Sequence, residues 1–360
     1  MSRASIRGVV VATAVAAAVS AGSAQATQNR SFVASNGNDA NSCQLAAPCR
    51  TFTAAIAQTN PGGEVIVLDA AGYGPVTITG PISLIAPPGI YAGISVTSGA
   101  GIVVNAGTGD VVALRGLDIT GLGGTNGIVV AGGKRVIIDR CSVTGFGSGS
   151  ALALTTSGQT NVDVTDTVLR DSQIGASFTA TGILNEVNFT RVRLESNGTG
   201  VSATGTSLFL RMVDTHVQGS GGDGLHFDPA GAHTVRFDVQ RGAIVGNNIA
   251  VYAAPTTSGG KVLGVINEVL VAENGSFGIY ANANAGATAT LEIWNTVSRY
   301  NGSGIRIQQA GSTAVIRNNI IVDNGFGIAC VGCGGLLTGG GNLNYDNGTP
   351  GAPTGGVSLQ

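Results

Sequence analysis

Nine short apolar segments, each led by glycine or alanine, recur down this chain at an almost fixed interval. They begin at Gly127, Ala151, Gly175, Gly200, Gly224, Ala250, Gly278, Gly304 and Gly327, with 23 to 28 residues between successive starts. This period is typical of stacked repeats that bury their apolar faces only against their neighbours. Apolar and polar residues alternate with period two inside each repeat, and no long 3.6-residue period is present, which predicts short strands and turns. The sequence therefore predicts an all-β chain, a right-handed parallel β-helix (solenoid) of about 12 turns.

Composition narrows the class of protein further. Glycine supplies 58 of the 360 residues but shows no three-residue period, which excludes collagen. Charged residues make up 11% of the chain and the formal net charge is −2, so no basic stripe for nucleic acid is present. Mean hydropathy is +0.30, which argues against a disordered chain. We therefore expect a folded solenoid with no nucleic-acid partner.

The chain divides into four predicted segments. Residues 1–26 combine two arginines, a small apolar stretch and Ala24-Gln25-Ala26, which together predict a signal peptide; the alternative, a core helix, lacks a polar stripe and a cap. Residues 27–61 are predicted to hold a strand, a disulfide loop and a capping helix, residues 62–346 the β-helix, and residues 347–360 a C-terminal tail. No later run is apolar enough to span a bilayer. We expect a secreted, periplasmic or cell-surface protein.

The five cysteines suit an oxidising compartment. Cys43 and Cys49 flank a polar loop and are predicted to form a disulfide. No second cysteine pair and no histidine follows Cys330 and Cys333 at zinc-ligand spacing, which argues against a zinc site. The two cysteines are therefore expected to form a structural disulfide or to remain free thiols. Cys141 falls at an inward position and is predicted to act as a small buried apolar residue.

The N-terminal region supplies the family resemblance. Residues 51–59 place Phe52, Ala55 and Ile56 on one helical face that would cover the open end of the first coil. The short first strand, the loop rich in Gly, Asn and Asp, the PCRTF helix start and the following EVIVLDAAGY resemble the entry of secreted β-helix proteins of the pectin-lyase-like superfamily. This resemblance implies a right-handed parallel β-helix over the whole mature chain. The superfamily contains lyases, hydrolases, esterases, tailspikes and adhesins, so the resemblance does not assign an activity.

Two rows of polar residues are predicted to be structural. Asparagines precede the repeat segments at Asn197, Asn247, Asn274, Asn301 and Asn324, where a side chain that tolerates left-handed backbone can bond its stacked neighbour. A second row alternates in sign and points outward: Arg140, Asp166, Arg191, Asp214, Arg241 and Glu268. Because stacked strands lie about 4.8 Å apart, neighbours in this second row would meet as opposite charges. The row is predicted to be a ladder of exposed ion pairs.

The third residue of each repeat segment points outward between two buried positions and is the strongest candidate for ligand binding. In four successive coils this position holds His226, Tyr252, Tyr280 and Arg306. Two residues further along come Asp228, Asn282 and Gln308. Ring faces stack on sugars, while amides and guanidinium groups bind hydroxyls or carboxylates. We therefore predict that Tyr252, Tyr280, Asn282 and Gln308 bind polysaccharide, the alternative being that tyrosines simply suit strands.

A catalytic alternative uses Asp223, His226, Asp228 and Arg306 on the same surface. Residues Gly221–Asp228 and Gly304–Gln308 faintly resemble two polygalacturonase motifs, but Gly222 stands where a second aspartate belongs and Gln308 replaces a lysine. Inverting hydrolysis needs paired carboxyl groups. A pectate lyase would need carboxylates for calcium and a base for the proton α to the uronate carboxyl. We therefore expect no cofactor, except that a lyase would bind calcium.

The three histidines could also suggest a metal site. They fall within 18 residues, at His216, His226 and His233, but on different strands and in a loop. No metal site is predicted from them. The sequence favours a secreted or cell-envelope protein that binds or scaffolds polysaccharide, with a polysaccharide lyase or glycoside hydrolase acting on an acidic polysaccharide as the alternative. Neither the oligomeric state nor the particular glycan follows from the sequence.

Overall fold

The computed structural model describes residues 28–181 and 184–357, and the predicted signal peptide lies outside these residues. Within the described chain the fold is an all-β parallel solenoid of about eleven turns, which confirms the predicted fold class. Each strand pairs in parallel with its equivalent in the next coil, as Ile128 does with Leu152 and Leu152 with Ala176. No helix among the described residues is long and apolar enough to cross a membrane.

Each coil contributes strands to three surfaces. Sheet 1 has eleven strands: Val76–Ile78, Ala100–Asn105, Asn126–Gly132, Ser150–Leu154, Ile174–Phe178, Thr199–Thr204, Asp223–Asp228, Ile249–Ala253, Phe277–Asn282, Ser303–Gln308 and Phe326–Val331. The remaining 24 strands form one sheet that bends into two faces. Face 2 holds Gln28–Val33, Thr59–Val67, Ile82–Ile85, Val111–Arg115, Arg135–Asp139, Asn161–Thr165, Asn185–Thr190, Leu208–Val213, Thr288–Trp294, Ser312–Arg317, Gly335–Thr338 and Gly355–Gly356.

Face 3 is built from shorter strands: Ala71–Gly72, Ala92–Val96, Leu117–Gly121, Ser142–Thr144, Val168–Arg170, Arg193–Glu195, His216–Gln218, Val297–Arg299, Ile320–Val322 and Leu343–Tyr345. Two long strands, Thr234–Val245 and Lys261–Ala272, run through both faces and join them. Inward side chains from all three surfaces meet along the solenoid axis. They form one continuous apolar core in which Val143, Leu194, Val251 and Ile305 are fully buried.

At two of the three corners of a coil, the chain turns through a single residue with left-handed backbone. The predicted charge row lies at the corner between faces 2 and 3, where Asp166, Arg191 and Asp214 have φ of 50°, 53° and 50°. Arg191 bonds Asp166 through two contacts of 2.6 and 2.7 Å, and Arg241 bonds Asp214 at 3.0 Å. The ladder is not continuous, however, because Arg140 turns to Asp139 of its own coil. Isolated pairs therefore replace the predicted unbroken row.

The asparagine row lies at the corner between face 3 and sheet 1 and is structural, as predicted. Asn274 Oδ1 accepts the Asn247 N–H at 3.0 Å, and Asn301 Oδ1 accepts the Asn274 N–H at 3.0 Å. The side chains are buried, with Asn274 1% and Asn301 3% exposed. The left-handed residue is the one before the asparagine, such as Glu273 or Tyr300, and not the asparagine itself.

The N-terminal end holds a short α-helix, Phe52–Ala57, which buries Phe52 and Ala55. Thr51 is its N-cap and accepts the Ala54 N–H at 3.3 Å. The helix is shorter than the predicted residues 51–59 because Thr59 already begins the next strand. The helix lies against Val76–Ile78, the edge strand of sheet 1. Its function as a cap stays a prediction.

The predicted disulfide between Cys43 and Cys49 is present, and Cys330 and Cys333 form a second one. The first disulfide closes a loop whose backbone pairs with Phe32 of the first strand, through Cys43 C=O at 2.8 Å and Cys49 N–H at 2.9 Å. Cys141 is free and 2% exposed, as predicted for a buried apolar residue. At the other end, Gly355–Gly356 pairs with Gly335–Thr338, so part of the segment predicted as a tail packs on the last coil.

Candidate ligand-binding surface

The register of sheet 1 places the four predicted residues side by side. His226 pairs with Tyr252, Tyr252 with Tyr280, and Tyr280 with Arg306. Three strand spacings of about 4.8 Å make this row roughly 14 Å long. We call His226, Tyr252, Tyr280 and Arg306 the sheet 1 strip. Its geometry was predicted from the repeat alone, whereas its function stays a prediction.

The aromatic rings of the strip stack on one another along the solenoid axis. Tyr252 and Tyr280 are parallel, with centroids 5.1 Å apart and 2° between their planes, and the His226 ring meets Tyr252 edge-on at 5.1 Å. Phe277 covers the Tyr280 ring from the side at 4.5 Å. Tyr280 is consequently 8% exposed, and burial raises the pKa of its hydroxyl. The ring faces are therefore paired with each other, and the sequence-based expectation of open ring platforms at Tyr280 is wrong.

Arg306 forms one end of the strip and is held on two sides. Its guanidinium carbon lies 5.5 Å from the Phe277 ring centroid, and its Nε donates to Gln308 Oε1 at 3.2 Å. The Tyr280 hydroxyl donates to the same Gln308 oxygen at 3.0 Å. Asn282 pairs with Gln308 in the register, and its buried Oδ1 has no hydrogen-bond partner among the described residues. The guanidinium group is thus oriented beside polar atoms on the outer surface of sheet 1.

His226 forms the other end and is bonded to a carboxylate. Its Nδ1 lies 2.7 Å from Asp223 Oδ2, and the side chains of the two residues are 30% and 16% exposed. Because an ionised carboxylate only accepts hydrogen bonds, Nδ1 carries a proton, and in the neutral imidazole Nε2 is then the acceptor. Asp228, the other aspartate among the predicted catalytic residues, has a different role. It accepts the N–H and hydroxyl of Thr256, each at 2.9 Å, and so anchors the following loop.

Sequence reasoning placed Asp223 on this surface but missed its bond to His226, and it missed Phe277, which covers Tyr280. Both stand three residues before the strip residue of their own strand, where strict alternation would point them inward. A glycine follows each of them. At Gly278 a side-chain carbon would lie 2.6 Å from the Gly304 carbonyl oxygen, so glycine is required where the chain turns onto sheet 1. An Asp-Gly or Phe-Gly pair near the start of a sheet 1 strand is therefore the sequence signal that could have predicted these two contacts.

In the part of the chain that the structure describes, the strip has no cluster of metal ligands beside it. Among the described residues, no group of three or more His, Cys, Asp or Glu side chains could hold a metal ion. His216 lies on face 3 and His233 lies in a loop, where its Nδ1 is 3.1 Å from Ser207 Oγ. The three histidines do not converge.

Comparison with known proteins identifies the fold. No family model and no curated protein matches the sequence. Pectate lyase Pel9A is similar in structure, with a TM-score of 0.54, 16% identity, and coverage of 91% of this chain and 82% of that one. The A-module of the mannuronan C-5 epimerase AlgE6 from Azotobacter vinelandii has a TM-score of 0.44 and 16% identity, with coverage of 83% of this chain and 92% of that one. A GH136 lacto-N-biosidase from Eubacterium ramulus has a TM-score of 0.40 and 12% identity, with coverage of 92% of this chain and 67% of that one. This chain therefore has the parallel β-helix fold found in pectate lyase Pel9A.

Proposed function

We propose that this chain is a secreted or cell-envelope β-helix protein that binds an acidic polysaccharide along the sheet 1 strip. The observation that carries the proposal is the in-register row of an imidazole, two phenols and a guanidinium over roughly 14 Å. The fold shared with a pectate lyase agrees with a polysaccharide ligand. The two disulfides agree with an oxidising compartment.

The stacked rings determine how such a ligand would be held. Since the Tyr252 and Tyr280 faces cover each other, the strip offers ring edges and polar groups rather than flat platforms. The Arg306 guanidinium supplies charge-assisted hydrogen bonds to a carboxylate, and Phe277 and Gln308 fix its orientation. Imidazole and phenol groups further along the row exchange hydrogen bonds with hydroxyls. This arrangement favours a chain that carries carboxylates over a neutral one.

The hydrogen bond between Asp223 and His226 favours a second candidate, proton abstraction by a polysaccharide lyase. The carboxylate holds the imidazole in the tautomer whose Nε2 can accept a proton. The neighbouring Tyr252 hydroxyl could return a proton to the leaving oxygen. Arg306 lies three coils from His226, however, and cannot neutralise the carboxyl of the sugar that His226 would attack. Binding is therefore the function that the geometry supports best.

Isothermal titration with polygalacturonate, alginate and a neutral glucan tests the proposal. We expect the wild type to bind an acidic chain, and Arg306→Gln to weaken it about tenfold or more, because a hydrogen bond to a charged group contributes about 1.5–3 kcal/mol. Arg236→Gln, an exposed arginine of face 2, is the control and should bind as the wild type does. Absence of binding, or equal affinity for wild type and Arg306→Gln, would contradict the proposal.

The same preparations separate binding from catalysis. Unsaturated ends released by the wild type, with Asp223→Asn retaining affinity but losing their release, would establish the lyase alternative. A wild type that binds and releases no new ends supports a binding protein. Melting temperatures of all variants check that each is folded.

A further inference from the structure

A groove of about 360 Å³ lies on the outer surface of face 2, away from the sheet 1 strip. Its floor is formed by Leu263 and Val265 of the long strand Lys261–Ala272. The neighbouring strands form its walls and carry Asp238 on one side and Glu292 on the other. We call this feature the face 2 groove. Its volume is that of a site for a small ligand.

The floor of the groove is apolar. Leu263 and Val265 alternate with buried residues and point outward, and both are shorter than the charged side chains of the walls. Gly264 between them faces the core, where a side-chain carbon would lie 2.1 Å from Phe237 Cζ. The Phe237 ring therefore lies directly beneath the strand and closes the floor from below, while Phe209 borders the groove on its outer side.

The walls carry charged groups with few partners in the protein. Among the described residues, neither Arg236 nor Glu292 forms an ion pair within 4.0 Å. Asp238 is oriented by Gln240, whose Nε2 donates to the two carboxylate oxygens at 2.9 and 3.1 Å. Asp238 and Glu292 both pair with Val265, so their backbones stand two strand spacings, about 9.6 Å, apart. One guanidinium and two carboxylates give the groove a net negative charge.

An apolar floor between hydrogen-bonding walls matches the two surfaces of a sugar ring. The C–H face of a pyranose packs on aliphatic side chains, while its hydroxyls donate to carboxylates and accept from a guanidinium. A uronate would instead add a like charge between Asp238 and Glu292. We propose that the face 2 groove binds a neutral sugar unit of a glycan. This site is independent of the acidic polysaccharide proposed for the sheet 1 strip.

Trp294 extends the site beyond the groove. It points outward from the same strand as Glu292, two residues or about 6.6 Å further along, and is 38% exposed. An exposed indole offers a ring face to the next sugar of the chain. Trp294 is also the single tryptophan of the sequence, so its fluorescence reports on this site alone.

Isothermal titration, together with the fluorescence of Trp294, tests the proposal with cellohexaose, mannohexaose and xylohexaose, and with hexagalacturonate as the charged counterpart. At least one neutral hexasaccharide should bind and change the tryptophan emission saturably. Glu292→Ala should weaken this binding about tenfold or more, because it removes a charged hydrogen-bond acceptor. Glu186→Ala, at a half-buried glutamate that also points outward from face 2, is the matched control and should bind as the wild type does.

The two binding proposals fail separately. Arg306→Gln should leave the affinity for the neutral sugar unchanged, whereas Arg236→Gln should weaken it severalfold and leave the acidic chain unaffected. Binding of none of the three neutral hexasaccharides, or equal affinity for the wild type and Glu292→Ala, overturns the proposal. Displacement of the neutral sugar by hexagalacturonate would also overturn it, because the groove would then accept a carboxylate. Melting temperatures of the variants check that each is folded.

Discussion

At the scale of single residues, the corners determine how the chain can turn without glycine. Asp166, Arg191, Arg241 and Glu268 all have φ between 49° and 57°, a region that costs a residue with a Cβ atom roughly 1–2 kcal/mol. Their N–H groups bond the next coil, as Asp166 N–H does to Thr190 C=O at 3.1 Å. The hydrogen bond from the Arg191 guanidinium lowers the pKa of the Asp166 carboxyl. Ladder bonds and ion pairs therefore offset the backbone strain.

Substitution by glycine at a corner tests this balance. Glu268 is exposed, has left-handed backbone and makes no ion pair within 4.0 Å among the described residues. We expect Glu268→Gly to raise the free energy of unfolding by about 0.5 kcal/mol, because relief of strain exceeds the entropy cost of glycine. Glu292→Gly, in the interior of a face 2 strand, should lower it by roughly 0.5–1 kcal/mol. Urea unfolding measures both, and equal losses would show that the corner is not strained.

At the scale of the coil element, the asparagine row connects neighbouring turns more strongly than the exposed ion pairs. Each buried amide accepts a backbone N–H from the preceding coil and donates back into the stack. Asn301 Nδ2 donates to Val271 C=O at 3.1 Å and to Asn324 Oδ1 at 3.0 Å. Removing one member leaves buried donors and acceptors without partners on both sides.

We therefore predict that Asn301→Ala lowers the free energy of unfolding by about 2–4 kcal/mol. Asn284→Ala, at an exposed asparagine whose side chain donates one hydrogen bond among the described residues, to Thr256 C=O at 3.3 Å, should change the free energy of unfolding by less than about 0.5 kcal/mol. Thermal and urea unfolding of both variants provide the measurement. Similar stabilities for the two variants would mean that the row does not stabilise the stack.

Some features of the coils and of the strip could be predicted from the sequence, and others could not. Coil spacing and the register of the strip followed from the repeat, because a period-two pattern fixes which way each side chain points. Burial of Tyr280 did not follow, because it depends on how close neighbouring rings lie. The bond between Asp223 and His226 also did not follow, since a glycine turn brings together residues that strict alternation separates. The bond of Arg140 to Asp139 at 2.9 Å also did not follow, because the repeat pattern does not determine which carboxylate an exposed arginine side chain contacts.

At the scale of the whole molecule, the C-terminal coils carry two surfaces of different chemistry. Sheet 1 presents the polar edges of the strip, while face 3 of the C-terminal coils presents the exposed aliphatic side chains of Ile320 and Leu343. A solenoid allows this separation because each coil contacts only its neighbours, so one outward row can change without altering the core.

Hydroxyl-radical footprinting with and without an acidic polysaccharide tests the central claim most directly, because it reads the exposure of individual side chains. The account predicts that the ligand slows oxidation of His226 and Tyr252. Oxidation of Tyr91 and Tyr300, which are 50% and 55% exposed elsewhere on the solenoid, should not change. Protection of Tyr91 or Tyr300 with unchanged oxidation of His226 and Tyr252 would contradict the assignment of the sheet 1 strip as the binding surface.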